Sequence, residues 1–152
     1  MISLPQHGGC ICGDVRFTLR EDPVTVYTCH CTDCQTETGS TCLIAVVVHT
    51  RAVEYSGAQP EEHGVELADG RPKGGPRSPR CKCGVGGSSR GDGLMMLEGG
   101  SFDDTSWLVP AGHIWTRSAQ PWVKIPEDAL SFREQPDDED WVAMTVAWKQ
   151  RG

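Results

Sequence analysis

The chain lacks the sequence features that most directly indicate nucleic-acid binding, export or membrane insertion. Its 14 Lys and Arg residues are outnumbered by 21 Asp and Glu residues and form no concentrated stripe, so the formal net charge is -7. DNA and RNA binding depends on basic side chains that neutralise phosphates, and we therefore expect no nucleic-acid partner. Residues 1–7 lack the charged start and apolar run of a signal peptide, and no stretch approaches ~18 consecutive apolar residues. We expect a soluble, cytoplasmic protein with no membrane partner.

Cysteine, by contrast, is abundant, with eight residues in a chain of 152. In a secreted protein this number would indicate disulfides, but in a reducing cytosol it favours metal binding. Moreover, Cys10 with Cys12 and Cys81 with Cys83 form Cys-X-Cys pairs, a spacing too short for an unstrained disulfide within the pair. We therefore interpret the cysteines as metal ligands within one domain, for which 152 residues supply enough core.

The densest group is formed by Cys29, Cys31 and Cys34, three thiols within six residues. One Zn²⁺ ion can neutralise such a group at Zn–S distances of ~2.3 Å. Three ligands leave a tetrahedral ion one position short, which is typical of catalytic rather than structural zinc. Spacing alone leaves two readings, because a further cysteine or histidine elsewhere in the chain would close the site and make it structural.

The simplest partition of seven cysteines predicts two Zn²⁺ ions per chain. The outer pairs, Cys10 with Cys12 and Cys81 with Cys83, would make a saturated four-thiolate structural site, and the middle three would hold a second ion. A three-thiolate ion carries a net charge of -1 and suits a soft incoming thiolate as its next ligand. Metal binding would also lower the thiol pKa from ~8.5. A coordinated thiolate that attacks an aldehyde carbonyl is the reaction we expect.

Hydrophobic patterning predicts a mainly β fold. Val15, Phe17 and Leu19 alternate with polar residues, as in a half-buried strand, and further strands are predicted over 24–28, 41–48 and 94–98. Cys42 is expected to pack in the strand predicted over 41–48 as a small apolar residue.

The remaining segments carry weaker patterns. Residues 58–80 are rich in Gly and Pro and predict a loop, while 126–130 are compatible with one helical turn. We assign a single domain to residues 1–136 and an acidic C-terminal extension to 137–152, in which 137–140 are interpreted as a solvated loop.

Several side chains outside the cysteine groups are candidates for substrate contacts. His113, Trp115 and Trp122 lie close together in sequence and would line a small-molecule pocket or, alternatively, pack in the core. Three cations are candidate partners for the carboxylates of a thiol such as glutathione, with ordinary surface charge as the alternative: Arg16, Arg117 and Lys124.

Four motifs connect the chain to a known family. They are GGCICGDVRF at 8–17, CHCTDCQTETGS at 29–40, GSFDD at 100–104, and HIW at 113–115 with PW at 121–122. With them the chain resembles the glutathione-dependent formaldehyde-activating enzyme family, which includes centromere protein V. The resemblance implies a mainly β, Mss4-like zinc-binding fold of small sheets, of the β-tent type.

The same resemblance implies a carbon–sulfur lyase, similar to S-(hydroxymethyl)glutathione synthase, that joins glutathione to formaldehyde or a related aldehyde. It implies structural zinc ligands at Cys10, Cys12, Cys81 and Cys83. It also implies a catalytic second zinc on the other three ligands, Cys29, Cys31 and Cys34.

The third cysteine pair departs from the family pattern. The family has Cys-X-X-Cys-Gly after an aromatic residue, whereas this chain has Cys81-Lys82-Cys83-Gly84 after Arg80. A shared fold also does not require a shared activity. The alternative function is therefore a non-catalytic, zinc-stabilised module that binds another protein.

Overall fold

The computed structural model describes residues 2–87 and 91–151. Strands account for 35% of the chain and helices for 19%, so the predicted mainly β class with small sheets is confirmed. The predicted domain and extension include Met1, residues 88–90 and Gly152, which lie outside the described residues. Within the described ranges, no helix is long and apolar enough to cross a bilayer.

The described part of the chain contains eleven strands and two α-helices. The strands are β1 (Gln6–Gly9), β2 (Val15–Leu19), β3 (Thr25–Cys29), β4 (Leu43–His49), β5 (Val53–Gly57), β6 (Glu61–Glu66), β7 (Pro72–Arg77), β8 (Gly86–Gly87), β9 (Leu94–Glu98), β10 (Gly112–Ile114) and β11 (Leu130–Ser131). The helices are α1 (Thr32–Thr38) and α2 (Asp138–Lys149), and single 3-10 turns cover Thr50–Ala52, Gly99–Ser101 and Thr116–Ser118.

The chain divides into two compact units, each assembled from separate segments. The first unit contains residues 24–46 and 108–151, and the second contains 2–23 and 47–107 where these are described. Each unit carries one group of cysteines: the first holds Cys29, Cys31 and Cys34, and the second holds Cys10, Cys12, Cys81 and Cys83.

The first unit is built on β3, which is buried along its whole length. Its strands lie in the order β11-β10-β3-β4, and β10 runs parallel to both β11 and β3. The register places Gly112 opposite Tyr27 and Ile114 opposite Cys29. The parallel pairing therefore brings the carboxyl end of β3, where the middle cysteines begin, beside the His113 region.

Helix α2 corrects the interpretation of residues 137–140 as a solvated acidic loop. Asp137 is the N-cap of α2, and its side chain accepts a hydrogen bond from the Asp140 N–H at 2.9 Å. The Asp140 side chain accepts in return from the Asp137 N–H, which completes a capping box. Met144 is fully buried, and the Tyr27 and Trp141 rings meet edge to face at 5.1 Å. The acidic run thus starts a packed helix, because carboxylates satisfy the free N–H groups of a helix N-terminus.

The second unit contains an antiparallel sheet with the order β1-β2-β5. Val15, Phe17 and Leu19 are fully buried on one face, as their alternation predicts. Phe17 meets the Phe102 ring edge to face at 5.1 Å. Gly8 lies against this cluster, where a Cβ would fall 2.3 Å from the Phe17 ring. Backbone and ring therefore approach as closely as glycine permits.

Residues 58–80, predicted as a loop, contain the antiparallel hairpin of β6 and β7. The composition is misleading because the glycines permit close backbone contact. A Cβ on Gly75 would lie 2.1 Å from the Gly86 carbonyl oxygen, and a Cβ on Gly74 would lie 2.2 Å from the His63 carbonyl oxygen. Here glycine allows strands to pack and does not mark an irregular segment.

The other predicted segments have mixed outcomes. The expected strands correspond to β2, β3, β4 and β9. The helical turn expected over 126–130 is absent, since these residues form a turn closed by the Ala129 N–H to the Pro126 carbonyl oxygen and lead into β11.

Candidate metal centres

The first centre lies where β3 ends and α1 begins. The Sγ atoms of Cys29, Cys31 and Cys34 all lie within 4.8 Å of one another. A tetrahedral ion with Zn–S distances of ~2.3 Å separates its sulfurs by about 3.8 Å, so the group matches the size of one ion. Cys29 and Cys34 are buried, while Cys31 is half-buried. Three convergent sulfurs form a donor set that suits zinc.

Local structure fixes each of these thiols. Cys29 ends the buried strand β3, and Cys31 is the N-cap of α1. The Cys34 N–H donates to the Cys31 Sγ at 3.3 Å. Crowding by the Cys31 and Cys34 thiols, together with burial, raises the pKa of Cys29. A bound cation would reverse that shift, since metal binding and thiol deprotonation are coupled.

Gln35, the residue after Cys34, ties this centre to the segment that follows β10. Its Nε2 donates to the His30 carbonyl oxygen at 2.7 Å and to the Ser118 carbonyl oxygen at 2.8 Å. Its Oε1 accepts from Gln120 Nε2 at 2.8 Å, and Ser118 Oγ also donates to the His30 carbonyl at 3.0 Å. One side chain therefore holds the start of α1 against residues that lie 83 and 85 positions away in sequence.

A pair of histidines lies beside the same centre. His30 Nε2 and His113 Nδ1 are 3.0 Å apart, and the two rings stack with their centroids 5.3 Å apart. Burial lowers the pKa of His30, although the Thr41 backbone partly opposes the shift. Burial, with His30 and Arg151 nearby, lowers the pKa of His113. Burial therefore favours the neutral form of both rings, in which an N–H of one ring donates to the facing nitrogen of the other.

The second centre lies in the second unit, where Cys10, Cys12 and Cys81 bring their Sγ atoms within 4.8 Å of one another. Cys10 and Cys12 sulfurs are 3.5 Å apart. Gly13, with a φ of 77°, supplies the left-handed turn that follows them, and the Val15 N–H donates to the Cys10 Sγ at 3.3 Å. Cys83, predicted as the fourth ligand, packs against this cluster but is not one of the three converging thiols.

Ser78 is buried completely beside these sulfurs. Its Oγ lies 3.7 Å from the Cys12 Sγ and accepts from the Arg80 and Cys81 N–H groups at 3.3 Å each. The Ser78 hydroxyl is the main cause that lowers the pKa of Cys81 to about 6. The same hydroxyl and the Val15 N–H lower the pKa of Cys10 against the opposing effect of burial.

The aromatic residues proposed for a pocket separate in the structure. His113 contacts His30, as described above, and the Trp115 ring lies under the Arg117 guanidinium at 5.1 Å. Trp122 is exposed over 69% of its surface. Cys42 precedes β4, is half-buried and belongs to neither thiol group.

The candidate cations for glutathione carboxylates have mixed surroundings. Arg16 pairs with Asp103, and Arg117 pairs with Glu134 at 2.9 Å, so both charges already have acidic partners. Lys124 is exposed.

Sequence reasoning missed Gln35 and Ser78. Gln35 lies inside the quoted cysteine motif, so its position next to Cys34 was an available signal. No sequence signal marked Ser78, because the fold brings it to Cys12 from 66 residues away.

Comparison with known proteins assigns the chain to a family. A search of curated proteins finds no match. A family model described as glutathione-dependent formaldehyde-activating enzyme matches residues 5–118, which is well over half of the chain and includes all eight cysteines. The chain therefore belongs to the glutathione-dependent formaldehyde-activating enzyme family.

Proposed function

We propose that this protein is a zinc-dependent enzyme of the carbon–sulfur lyase type. It forms or cleaves the S-hydroxymethyl adduct of glutathione with formaldehyde or a related aldehyde. The observation that carries the proposal is the convergence of Cys29, Cys31 and Cys34 within 4.8 Å, in a chain of this family. Three thiolates would leave an ion one position for the substrate thiol.

The reaction needs no oxidant or reductant. The substrate S–H bond breaks, the sulfur forms a bond to the carbonyl carbon, and the carbonyl π electrons move to oxygen, which receives the proton. A bound Zn²⁺ would lower the pKa of the thiol and hold it as a thiolate. The reverse sequence of bond changes releases thiol and aldehyde.

The contributions of the chain itself are positioning and charge. β3 and α1 fix the three cysteines, and Gln35 fixes α1. Burial lowers the pKa of His30 and of His113, which favours uncharged imidazoles beside the thiolates. We retain His113 and Trp115 as pocket residues, with Trp122 as an exposed contributor.

The proposal also includes a second Zn²⁺ in the second unit, where it has a structural role. Cys10, Cys12 and Cys81 supply convergent thiols there, and Cys83 is the fourth residue that the family pattern assigns. A cytoplasmic location, where glutathione keeps thiols reduced, fits this chemistry.

The test combines zinc content with the zinc X-ray absorption spectrum, recorded with and without glutathione. We expect two zinc ions per chain and a higher average sulfur coordination once glutathione is added. Cys34→Ser should abolish that increase, while Cys42→Ser, which changes a thiol outside both groups, should behave like the parent protein. Exchange of ¹³C-formaldehyde with glutathione, followed by NMR, should be faster with the parent protein than without it.

The proposal that the protein is an enzyme would be refuted by two results together. The zinc coordination shell would be unchanged by glutathione, and the exchange rate would equal that of the uncatalysed reaction. That result would favour the alternative, a zinc-stabilised module that binds another protein.

A further inference from the structure

The four cysteines of the second unit differ in what faces their sulfur atoms. Cys10 Sγ accepts from the Val15 N–H at 3.3 Å, and backbone N–H groups of Cys12 and Cys83 are directed at Cys81 Sγ. Cys83 Sγ instead lies 3.4 Å from the Gly84 carbonyl oxygen, to which it donates. N–H donors directed at a sulfur support it as a metal ligand, whereas a thiol that donates to a carbonyl oxygen is directed at that oxygen instead.

Cys12 is similar to Cys10 and Cys81, because a backbone N–H also faces its sulfur. The Asp14 backbone N–H is directed at Cys12 Sγ, and the sulfur also lies 3.7 Å from Ser78 Oγ. Backbone N–H groups therefore face three sulfurs, and these are the same three that lie within 4.8 Å of one another. The fourth sulfur faces the Gly84 carbonyl oxygen and is not among these three.

The hydrogen bonds of Ser78 define its role. A hydroxyl has two acceptor lone pairs and one proton to donate. Ser78 Oγ accepts from both the Arg80 and the Cys81 N–H at 3.3 Å, which occupies both lone pairs. The remaining proton can only be donated, and the acceptors beside it are the sulfurs, with Cys12 Sγ at 3.7 Å. Ser78 is thus a hydrogen-bond donor to the sulfurs and has no lone pair left to bind a metal.

The backbone conformation explains why two Cys-X-Cys pairs with the same spacing place their sulfur atoms differently. Lys82, between Cys81 and Cys83, has a φ of 58°, a left-handed conformation that is uncommon for a residue with a side chain. The Lys82 N–H bonds to the Ser78 carbonyl, and the Ser78 N–H bonds to the Cys83 carbonyl, both at 3.0 Å. This closed turn directs the Cys83 N–H, rather than its thiol, towards the Cys81 sulfur.

We propose that in this chain the metal ion of the second unit is held by the three thiolates of Cys10, Cys12 and Cys81. Ser78 is a positioning residue that donates a hydrogen bond to the coordinating sulfurs, and Cys83 lies outside the ligand set. This goes beyond the proposed function, since it concerns the other centre and revises the four-cysteine set that the family pattern implies. The Arg80 guanidinium pairs with Asp14 at 3.2 Å and is also attracted electrostatically by the Cys12 and Cys81 sulfurs.

The first test uses the unaltered, zinc-loaded protein. It is treated with an alkylating reagent, and the modified cysteines are located by mass spectrometry before and after zinc is removed with a chelator. We expect Cys83 to react while zinc is bound, at a rate comparable with the half-buried Cys42, whereas Cys10, Cys12 and Cys81 react only after zinc removal. Protection of Cys83 that chelation alone relieves would overturn the proposal.

The second test compares variants by zinc stoichiometry and by the cobalt(II) thiolate absorption of the substituted protein. Cys83→Ser should keep two metal ions and an unchanged spectrum, and Cys81→Ser should lose one ion. Ser78→Ala should keep the same spectrum but bind zinc about 10- to 100-fold more weakly, the usual effect of removing a hydrogen-bond partner of a metal ligand. Loss of one ion in Cys83→Ser, or unchanged zinc affinity in Ser78→Ala, would contradict the assignment. None of these readouts depends on glutathione, so they are independent of the proposed reaction.

Discussion

Replacement of Gln35 by Leu tests whether one side chain couples the first metal centre to the rest of its unit. The change keeps the approximate size of the side chain and removes three hydrogen bonds. These are the two donated by Nε2 to the His30 and Ser118 carbonyls and the one accepted by Oε1 from Gln120. At ~1 kcal/mol of net stability for each bond, we expect the free energy of unfolding to fall by about 3 kcal/mol.

Gln120→Leu is the matched variant, because it removes only the bond to Gln35 Oε1 and should lower the free energy of unfolding by about 1 kcal/mol. Gln150→Leu, at an exposed position next to the end of α2, should have little effect. The three variants are compared by urea unfolding at one fixed zinc concentration, because a bound ion adds to stability by mass action.

The second readout is the rate at which a chelator removes zinc. His30 lies between Cys29 and Cys31 in sequence, and the Gln35 side chain holds its carbonyl oxygen. Loss of the Gln35 amide should therefore speed zinc release from the first centre. A stability loss in Gln35→Leu that equals the loss in Gln120→Leu, or zinc release that is unchanged, would refute the reasoning.

Three further changes test the packing and ionisation of the two units. Tyr55→Phe should raise the free energy of unfolding by about 1 kcal/mol or more, because the buried hydroxyl has no hydrogen-bond partner among the described residues. Burial, with a contribution from Glu62, raises the pKa of Tyr55 to about 12. The unfolded chain therefore ionises first as the pH rises, and the parent protein, unlike Tyr55→Phe, should lose about 2 kcal/mol of stability between pH 10 and 12 in urea titrations. Asp137→Ala removes the N-cap of α2 and should cost about 1 kcal/mol by the same method, whereas Asp138→Ala should cost much less. Gly8→Ala should destabilise the second unit by about 1–3 kcal/mol in thermal unfolding, since its Cβ would overlap the Phe17 ring, while Gly100→Ala meets nothing within 4 Å.

The sequence predicts the parts of this protein where a residue's own chemistry determines its position. Val15, Phe17 and Leu19 alternate because one face of β2 is buried, and the pattern is visible without the structure. Cys29, Cys31 and Cys34 are close in sequence, so a strand end and one helical turn suffice to bring their sulfurs together.

Prediction from the sequence fails where interacting residues are distant in sequence or where one composition is compatible with two structures. The glycines of β7 suggest a loop, yet at Gly75 the absence of a side chain lets the backbone approach Gly86. Helix α2 buries only Met144 completely and leaves Val142 and Val146 exposed, so its apolar residues show no helical period. Two of the three partners of Gln35, Ser118 and Gln120, lie 83 and 85 residues away, and no local pattern indicates them.

The two Cys-X-Cys pairs show why spacing alone does not define a ligand set. Cys10 and Cys12 bring their sulfurs to 3.5 Å, and Cys81 joins them. Cys83 has the same separation from Cys81, but the left-handed Lys82 and the turn closed at Ser78 direct its amide, not its sulfur, at the cluster. In our proposal, what decides whether a cysteine binds the ion is the conformation of the intervening residue and whether hydrogen-bond donors or acceptors surround its sulfur. A cysteine count gives the maximum number of ligands, and the hydrogen bonds around each sulfur are the basis on which we propose which of them would bind an ion.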